Sequence, residues 1–136
     1  MAQFTLLHQS RSSEINETKP AGKLVSPMRL LLKEVDGPLM VSVQLIDQLI
    51  IGRGDEEREP DIDLTQLDGV EQGISRWHAE FTYVDAKLFV EDLNSTNGTR
   101  VNGFRLDVGR KYRLRNGDEL ELGHLRLIVQ VVRPPG

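Results

Sequence analysis

The sequence predicts an all-β fold, a two-sheet antiparallel β-sandwich of about ten to eleven short strands behind a flexible N-terminal tail. Three observations predict it. Apolar residues alternate with polar ones along most runs between Met28 and Val132, the pattern of half-buried strands. Turn residues punctuate those runs, including the pairs Asn97-Gly98, Asn102-Gly103 and Asn116-Gly117, and Asn-Gly is the strongest short hairpin signal. No window carries a helical period. The best candidate, DLTQLDGVEQ (63–72), is broken by Gly69 and followed by Gly73.

Taken in order, residues 1–27 form the tail and residues 28–133 the domain. Positions 8–27 are rich in Ser, Glu, Asn, Thr, Lys, Pro and Gly, a composition without the apolar content of a core. In MRLLLKEV (28–35), Met28, Leu30 and Leu32 share one face. In PLMVSVQL (38–45), Leu39, Val41, Val43 and Leu45 alternate with Met40, Ser42 and Gln44. The turn Asp36-Gly37-Pro38 joins these runs. QLIIG (48–52) is a third run. HAEFTYV (78–84) and KLFVEDL (87–93) flank Asp85-Ala86 as a hairpin, and KYRLRNG (111–117) and DELELG (118–123) meet at Asn116-Gly117. LRLIVQVV (125–132) is the last strand, ended by Pro134-Pro135.

Composition narrows the function. The chain has 136 residues, 38% hydrophobic and 28% charged, ordinary for one globular domain. It contains no cysteine, which excludes disulfides and thiol catalysis and fits a reducing compartment. The N-terminal segment lacks the basic start and apolar run of a secretory signal. No apolar stretch approaches the length of a membrane-spanning helix. These features predict a cytoplasmic protein with no membrane partner. A net charge of −4 argues against nucleic acid as a partner. The charge is uneven: residues 1–99 carry 9 basic and 17 acidic groups, residues 100–136 carry 8 basic and 4 acidic. Solvated strand faces account for such an imbalance more simply than a basic binding patch does.

Three segments place unusual side chains on loops: IIGRG (50–54), GISRWHAEF (73–81) and NSTNGTRVNG (94–103). A sandwich gathers its loops at its ends. If these three share one end, Arg53, Ser75, Arg76, Thr96 and Asn97 come together. Arg53 offers a planar fork of donors matched to a phosphate or carboxylate. Ser75 adds a hydroxyl. Asn97 has both a donor and an acceptor, suited to gripping an extended peptide backbone. This set fits one phosphoryl group on a peptide. It does not fit a nucleotide, since no Gly-rich phosphate loop opens a helix here.

The same segments carry a resemblance. G-R (Gly52-Arg53), S-R-x-H (Ser75-Arg76-Trp77-His78), N-S-T-N-G-T-x-x-N-G (94–103) and N-G-D-x-L-x-L-G (116–123) stand in the order found in forkhead-associated (FHA) domains. Asp61-Ile62-Asp63-Leu64 resembles the D-I-x-L strand of that family. The resemblance covers residues 28–132 and implies a phosphothreonine-dependent interaction module acting as a signalling adaptor. It implies that Arg53 and Ser75 hold the phosphate, that Arg76, Thr96 and Asn97 line the same surface, and that Asn97 bonds the peptide main chain. His78 then braces the loops from behind and is not a catalyst. Gly52, Gly98, Asn102 and Gly103 are structural support. The implied partner is a phosphothreonine protein, the substrate of a Ser/Thr kinase, and no cofactor or metal is needed. Thr18, in ETKP of the tail, is a further candidate ligand once phosphorylated.

One departure stands out. Arg53 and Ser75 are separated by a segment containing Asp55, Glu56, Glu57, Glu59 and Asp61. Either these carboxylates crowd Arg53 and disfavour a dianionic ligand, or the segment points into solvent and is screened. Two other functions compete. Ser75, His78 and Asp92 are the residue types of a hydrolase triad, but no G-x-S-x-G elbow is present. The alternative among binding functions is a phospho-independent interaction or scaffold module built on the same sandwich.

Overall fold

The structure, a computed structural model, describes residues 4–9, 27–65 and 72–132. Thr18, residues 66–71 of the one helical candidate and the Pro134-Pro135 terminator lie outside the described residues. The strands are β1 (Phe4–Gln9), β2 (Met28–Glu34), β3 (Leu39–Leu45), β4 (Gln48–Gly52), β5 (Ile62–Asp63), β6 (Ala79–Val84), β7 (Lys87–Asp92), β8 (Thr99–Val101), β9 (Phe104–Arg105), β10 (Lys111–Leu114), β11 (Glu119–Leu122) and β12 (Leu125–Val132). They form a seven-stranded sheet, ordered β1-β3-β2-β12-β11-β8-β9, and a five-stranded sheet, ordered β10-β7-β6-β4-β5. Among the described residues the fold is all-β.

Two details add to the sequence reading. Residues 4–9 belong to an edge strand, with the backbone of β1 running parallel to β3 from Phe4 opposite Leu39 to Gln9 opposite Gln44. The exposed edge of β3 offers unpaired N–H and C=O groups, which a short segment of strand-forming residues satisfies. The sheets are also not wholly antiparallel: β1–β3 and β4–β5 are parallel, and the other strand pairings are antiparallel.

The period-two pattern maps onto the core. Met28, Leu30 and Leu32 of β2, Val41 and Val43 of β3, and Leu120, Leu122, Leu127 and Val129 of β11 and β12 are buried. They face Leu49, Ile51, Ala79, Phe81 and Val90 from the other sheet in one cluster. Burying a Leu, Ile or Phe side chain contributes about 1.5–3 kcal/mol, so this interior fixes the sheets and, through them, the origin of every loop. The β6–β7 hairpin turns at Asp85 and Ala86 with φ of 52° and 62°, the paired left-handed conformation that matches strand twist.

Strand register decides which loops share an end. Ala79 pairs with Asp92 at one end of β6–β7, and Val84 with Lys87 at the other. The loops after β4, before β6 and after β7 therefore leave from the Ala79/Asp92 end. A cavity of about 380 Å³ lies at the opposite end, among Tyr83, Ala86, Leu88, Arg113, Asn116 and Val131.

Candidate functional site

The three loops are bonded to one another. The Arg53 N–H donates to Ser75 O (3.1 Å) and the Gly54 N–H to Arg76 O (3.2 Å), joining the first loop to the second. The Thr96 N–H donates to Ser75 Oγ at 2.9 Å, and Asn97 Nδ2 donates to Gly73 O at 2.9 Å, joining the second to the third. From the β11–β12 turn, the Gly123 N–H donates to Gly98 O (3.1 Å) and the His124 N–H to Gln72 O (2.7 Å). Arg53, Ser75, Arg76, Thr96 and Asn97 thus occupy one end of the sandwich.

Gly52 is what permits the close approach. A Cβ there would sit 2.0 Å from Arg76 O and 2.9 Å from Ser75 O, closer than any side chain tolerates. The strand can lie against the second loop only because this residue has no side chain. Arg53 follows directly, and its Nε donates to Ile74 O at 2.9 Å. This bond orients the guanidinium through Nε, and its two Nη groups make no hydrogen bond among the described residues. Ser75 Oγ accepts from Thr96, so its own proton remains available for donation.

His78 lies behind these groups and is fully buried. The Ser75 N–H donates to its Nδ1 at 3.0 Å, and its Nε2 lies 2.9 Å from Gly98 O. Only the neutral ring protonated on Nε2 satisfies both contacts. One side chain therefore ties the second loop to the third. Burial pushes its pKa below the ordinary 6.5, against the opposing pull of Gly98 O and the Asp92 charge.

The third loop hangs on a residue that the sequence reading considered only as a triad member. Asp92 is 1% exposed. Its carboxylate accepts from Ser95 Oγ (2.5 Å), Ser95 N–H (3.2 Å) and Thr99 Oγ1 (2.6 Å). The Gly98 N–H in turn donates to Ser95 Oγ at 3.0 Å. The D-x-x-S-x-x-x-T spacing was available in the sequence, but hydroxyls near a loop tip read as exposed. These contacts also separate the hydrolase-triad residues. His78 meets the backbone N–H of Ser75 and not its hydroxyl, and Asp92 bonds Ser95 and Thr99.

Asn102 and Gly103 are not brought into the loop cluster. They form the β8–β9 turn with φ of 50° and 87°. Asn102 Nδ2 donates to Asp118 Oδ1 (3.1 Å), and its Oδ1 accepts from the Glu119 N–H (2.9 Å), which faces them away from the recognition loops. The turn does send β9 back toward those loops. There the Arg105 guanidinium covers Gly98, its Cζ 3.0 Å from where a Cβ would stand. Arg105 had no signal in the sequence.

Of its two expected courses the acidic segment mostly takes the second: Glu56, Glu57 and Glu59 are exposed, Asp55 is held at the surface, and Asp61 is buried. The Asp55 carboxylate does not engage Arg53. It accepts from the backbone N–H groups of Glu57 (2.9 Å) and Arg58 (2.7 Å) through Oδ1, and from Arg76 Nη1 (2.9 Å) through Oδ2. The Arg58 backbone N–H, with smaller help from Glu57 and the Arg76 guanidinium, holds its pKa below the usual carboxylate value against a partial desolvation. Arg58 lies over the Trp77 ring, 5.6 Å from its centroid, while Trp77 stays 36% exposed. Asp61 turns the other way and is buried, accepting from the Ile50 N–H at 2.8 Å.

The sequence profile of the FHA domain matches residues 49–123, the segment holding all these loops. The chain belongs to the FHA family. Among its relatives, the glycogen accumulation regulator GarA of Mycobacterium tuberculosis is 40% identical over 102 residues, covering 75% of this chain and 57% of GarA. The oxoglutarate dehydrogenase inhibitor of Corynebacterium jeikeium is 36% identical over 124 residues, covering 90% of this chain and 80% of the inhibitor. The chain spans little more than half the length of GarA, and 29% of FraH from a Nostoc species, to which it is 33% identical. Among solved structures, an FHA domain described in work on phosphothreonine-dependent FHA interactions superposes with a TM-score of 0.58 at 32% identity, covering 81% of this chain and all of that one. The FHA domain of FhaA, solved in complex with an intracellular domain, superposes with a TM-score of 0.56 at 33% identity, covering 76% of this chain and 99% of that one. GarA bears the name of a regulator and the Corynebacterium protein that of an inhibitor.

Proposed function

We propose that this domain reads phosphothreonine in protein partners through the loop end of the sandwich and works as a signalling adaptor without catalytic activity of its own. One observation carries the reading. Arg53, Ser75, Thr96 and Asn97 sit on three separate loops, yet direct hydrogen bonds lock those loops together and leave ligand-facing donors unspent. Preorganised donors cost little to order on binding. In this reading the Nη groups of Arg53 and the hydroxyl of Ser75 take the phosphate oxygens. Asn97, with one amide N–H held by Gly73, uses its remaining N–H and its Oδ1 on the peptide main chain. Thr96 lines the surface beside it, and His78 holds the two loops at a fixed separation. The partner is the product of a Ser/Thr kinase, and the compartment is the cytoplasm, in keeping with a chain free of cysteine.

The test compares one peptide in three forms: phosphothreonine, phosphoserine and unmodified threonine. Binding of the phosphothreonine form at least about a hundredfold tighter than the unmodified form is expected, since several charge-assisted bonds at roughly 1.5–3 kcal/mol each depend on the phosphate. Equal affinity for the unmodified peptide would give the domain to the phospho-independent class.

A further inference from the structure

Arg76 is the one cation of the three recognition loops that is already paired with a carboxylate among the described residues. Its Nη1 donates to Asp55 Oδ2 at 2.9 Å, and the two side chains are 47% and 31% exposed. The pair is thus at the surface, where a ligand can reach it. It is also not a chance meeting of two mobile chains. The other oxygen of Asp55 is held by two backbone N–H groups, of Glu57 and Arg58, and the Asp55 N–H donates back to Arg58 O at 2.8 Å. The Arg76 backbone is fixed from the other side, because its carbonyl accepts from the Gly54 N–H. Both ends of the ion pair are anchored to main chain, so the carboxylate is presented to Arg76 by a preformed turn. A carboxylate in that position offers Arg76 the same kind of oxygen acceptor that an incoming phosphate or acidic side chain would.

We propose that Asp55 is an internal competitor for the ligand: it occupies Arg76, so a phosphopeptide engages that arginine only by displacing the Asp55 carboxylate, and the pair disfavours peptides acidic beside the phosphothreonine. This rests on the reading that the loop end binds phosphothreonine. Arg53 lies outside the competition, since its guanidinium is oriented by Ile74 O and not by an acid. The domain therefore keeps an anchor that works at all times, Arg53, beside a second cation whose availability is set by a neighbouring charge. The acidic segment acts as a selectivity element through one residue. Glu56 and Glu57 of the same segment are exposed, and neither is paired with Arg76.

The experiment titrates one phosphothreonine peptide into the wild-type protein, Asp55→Asn, Arg76→Ala, the double variant, and Glu56→Gln as a charge control. Asn keeps the shape of Asp55 and can still accept from Glu57 and Arg58, so the turn is retained. Asp55→Asn is expected to bind about two- to fivefold tighter than wild type, the scale on which exposed ion pairs act. The gain is expected to disappear in the Arg76→Ala background and to be larger for a peptide with an acidic neighbour than for one with a basic neighbour. Glu56→Gln is expected to change affinity by less than about 1.5-fold, since it removes a screened charge without freeing Arg76. Unchanged or weaker binding by Asp55→Asn, a gain that survives loss of Arg76, or an equal gain from Glu56→Gln would overturn the proposal. If the wild type prefers the phosphorylated peptide while Asp55→Asn is flat, the competition fails and the functional reading stands. If the wild type does not distinguish phosphorylated from unmodified peptide, both fall together.

Discussion

Asp92 and Asp55 each organise one loop of the same surface, and each does so with one carboxylate oxygen shared between two donors. Asp92 Oδ1 accepts from Ser95 Oγ and Thr99 Oγ1, while Asp55 Oδ1 accepts from the N–H groups of Glu57 and Arg58. Burial is what differs. Asp92 is sealed beneath the third loop, where its partners have no water to turn to. Asp55 holds the acidic segment at the surface, with its second oxygen on the solvent-accessible Arg76. A buried carboxylate satisfied by hydroxyls and main chain makes a fixed loop, because every lost bond leaves an unpaired group. An exposed one makes a contact that water or a ligand can replace at small cost. The fixed loop carries Thr96 and Asn97, and the replaceable contact is the one to Arg76.

Variants can break or sharpen this contrast. The largest effect is expected at the buried residue. Asp92→Ala strips the acceptor from Ser95 and Thr99 and is expected to destabilise the domain by about 3 kcal/mol or more, lowering its Tm by roughly 10 °C. A Tm within about 2 °C of wild type in a denaturation scan would show that the loop is held by something else.

His78 comes next. His78→Ala removes two loop contacts and is expected to cost about 2 kcal/mol at neutral pH. It also predicts a pH dependence. The unfolded chain takes up a proton near pH 6.5, whereas the folded chain, with His78 held below that value, resists it. Stability is therefore fully present above pH 6.5 and is lost as the pH falls below it through the lowered folded value. Tm measured downward from neutral pH is expected to fall in the wild type, and the variant is expected to lack that part of the decline. Parallel curves would mean that the neutral ring is not what bridges Ser75 and Gly98.

A smaller change in free energy, though decisive for binding, is expected at Arg53. Arg53→Ala is expected to weaken phosphothreonine-peptide binding by at least about tenfold, the equivalent of a single charge-assisted bond. Lys in its place is expected to restore only part of the loss, because it lacks the planar fork. Calorimetric titration reads both. The smallest change is expected in the stability of Asp55→Asn, whose Tm is expected to stay within about 3 °C of wild type. A drop as large as that of Asp92→Ala would erase the distinction between the two loops.

The sheets were legible because burial on one face forces alternation. Leu39, Val41, Val43 and Leu45 announced β3, and all four are buried. β1 was not legible, since it sits before a long polar stretch and gains its place from the edge of β3, a partner more than thirty positions away in the sequence. Within the loop cluster, the residue types of Arg53, Ser75 and Asn97 suggested the chemistry proposed for them, and the loop rule of a sandwich gave their proximity. What escaped were contacts set by three-dimensional register. Asp55 meets Arg76 across 21 positions, and Arg105 reaches Gly98 only because the Asn102-Gly103 turn reverses β9. The same turn chemistry that made Asn102-Gly103 conspicuous said nothing about its facing Asp118 and Glu119.

The central claim is that one end of the sandwich reads phosphothreonine, and backbone amide shift mapping tests it most directly. On titration with a phosphothreonine peptide, the largest shifts are predicted at Arg53, Ser75, Arg76, Thr96 and Asn97, with the amides of Ala86, Asn102, Gly103 and Asn116 left in place. Shifts centred on the cavity at the opposite end, or equal shifts with the unphosphorylated peptide, would contradict it.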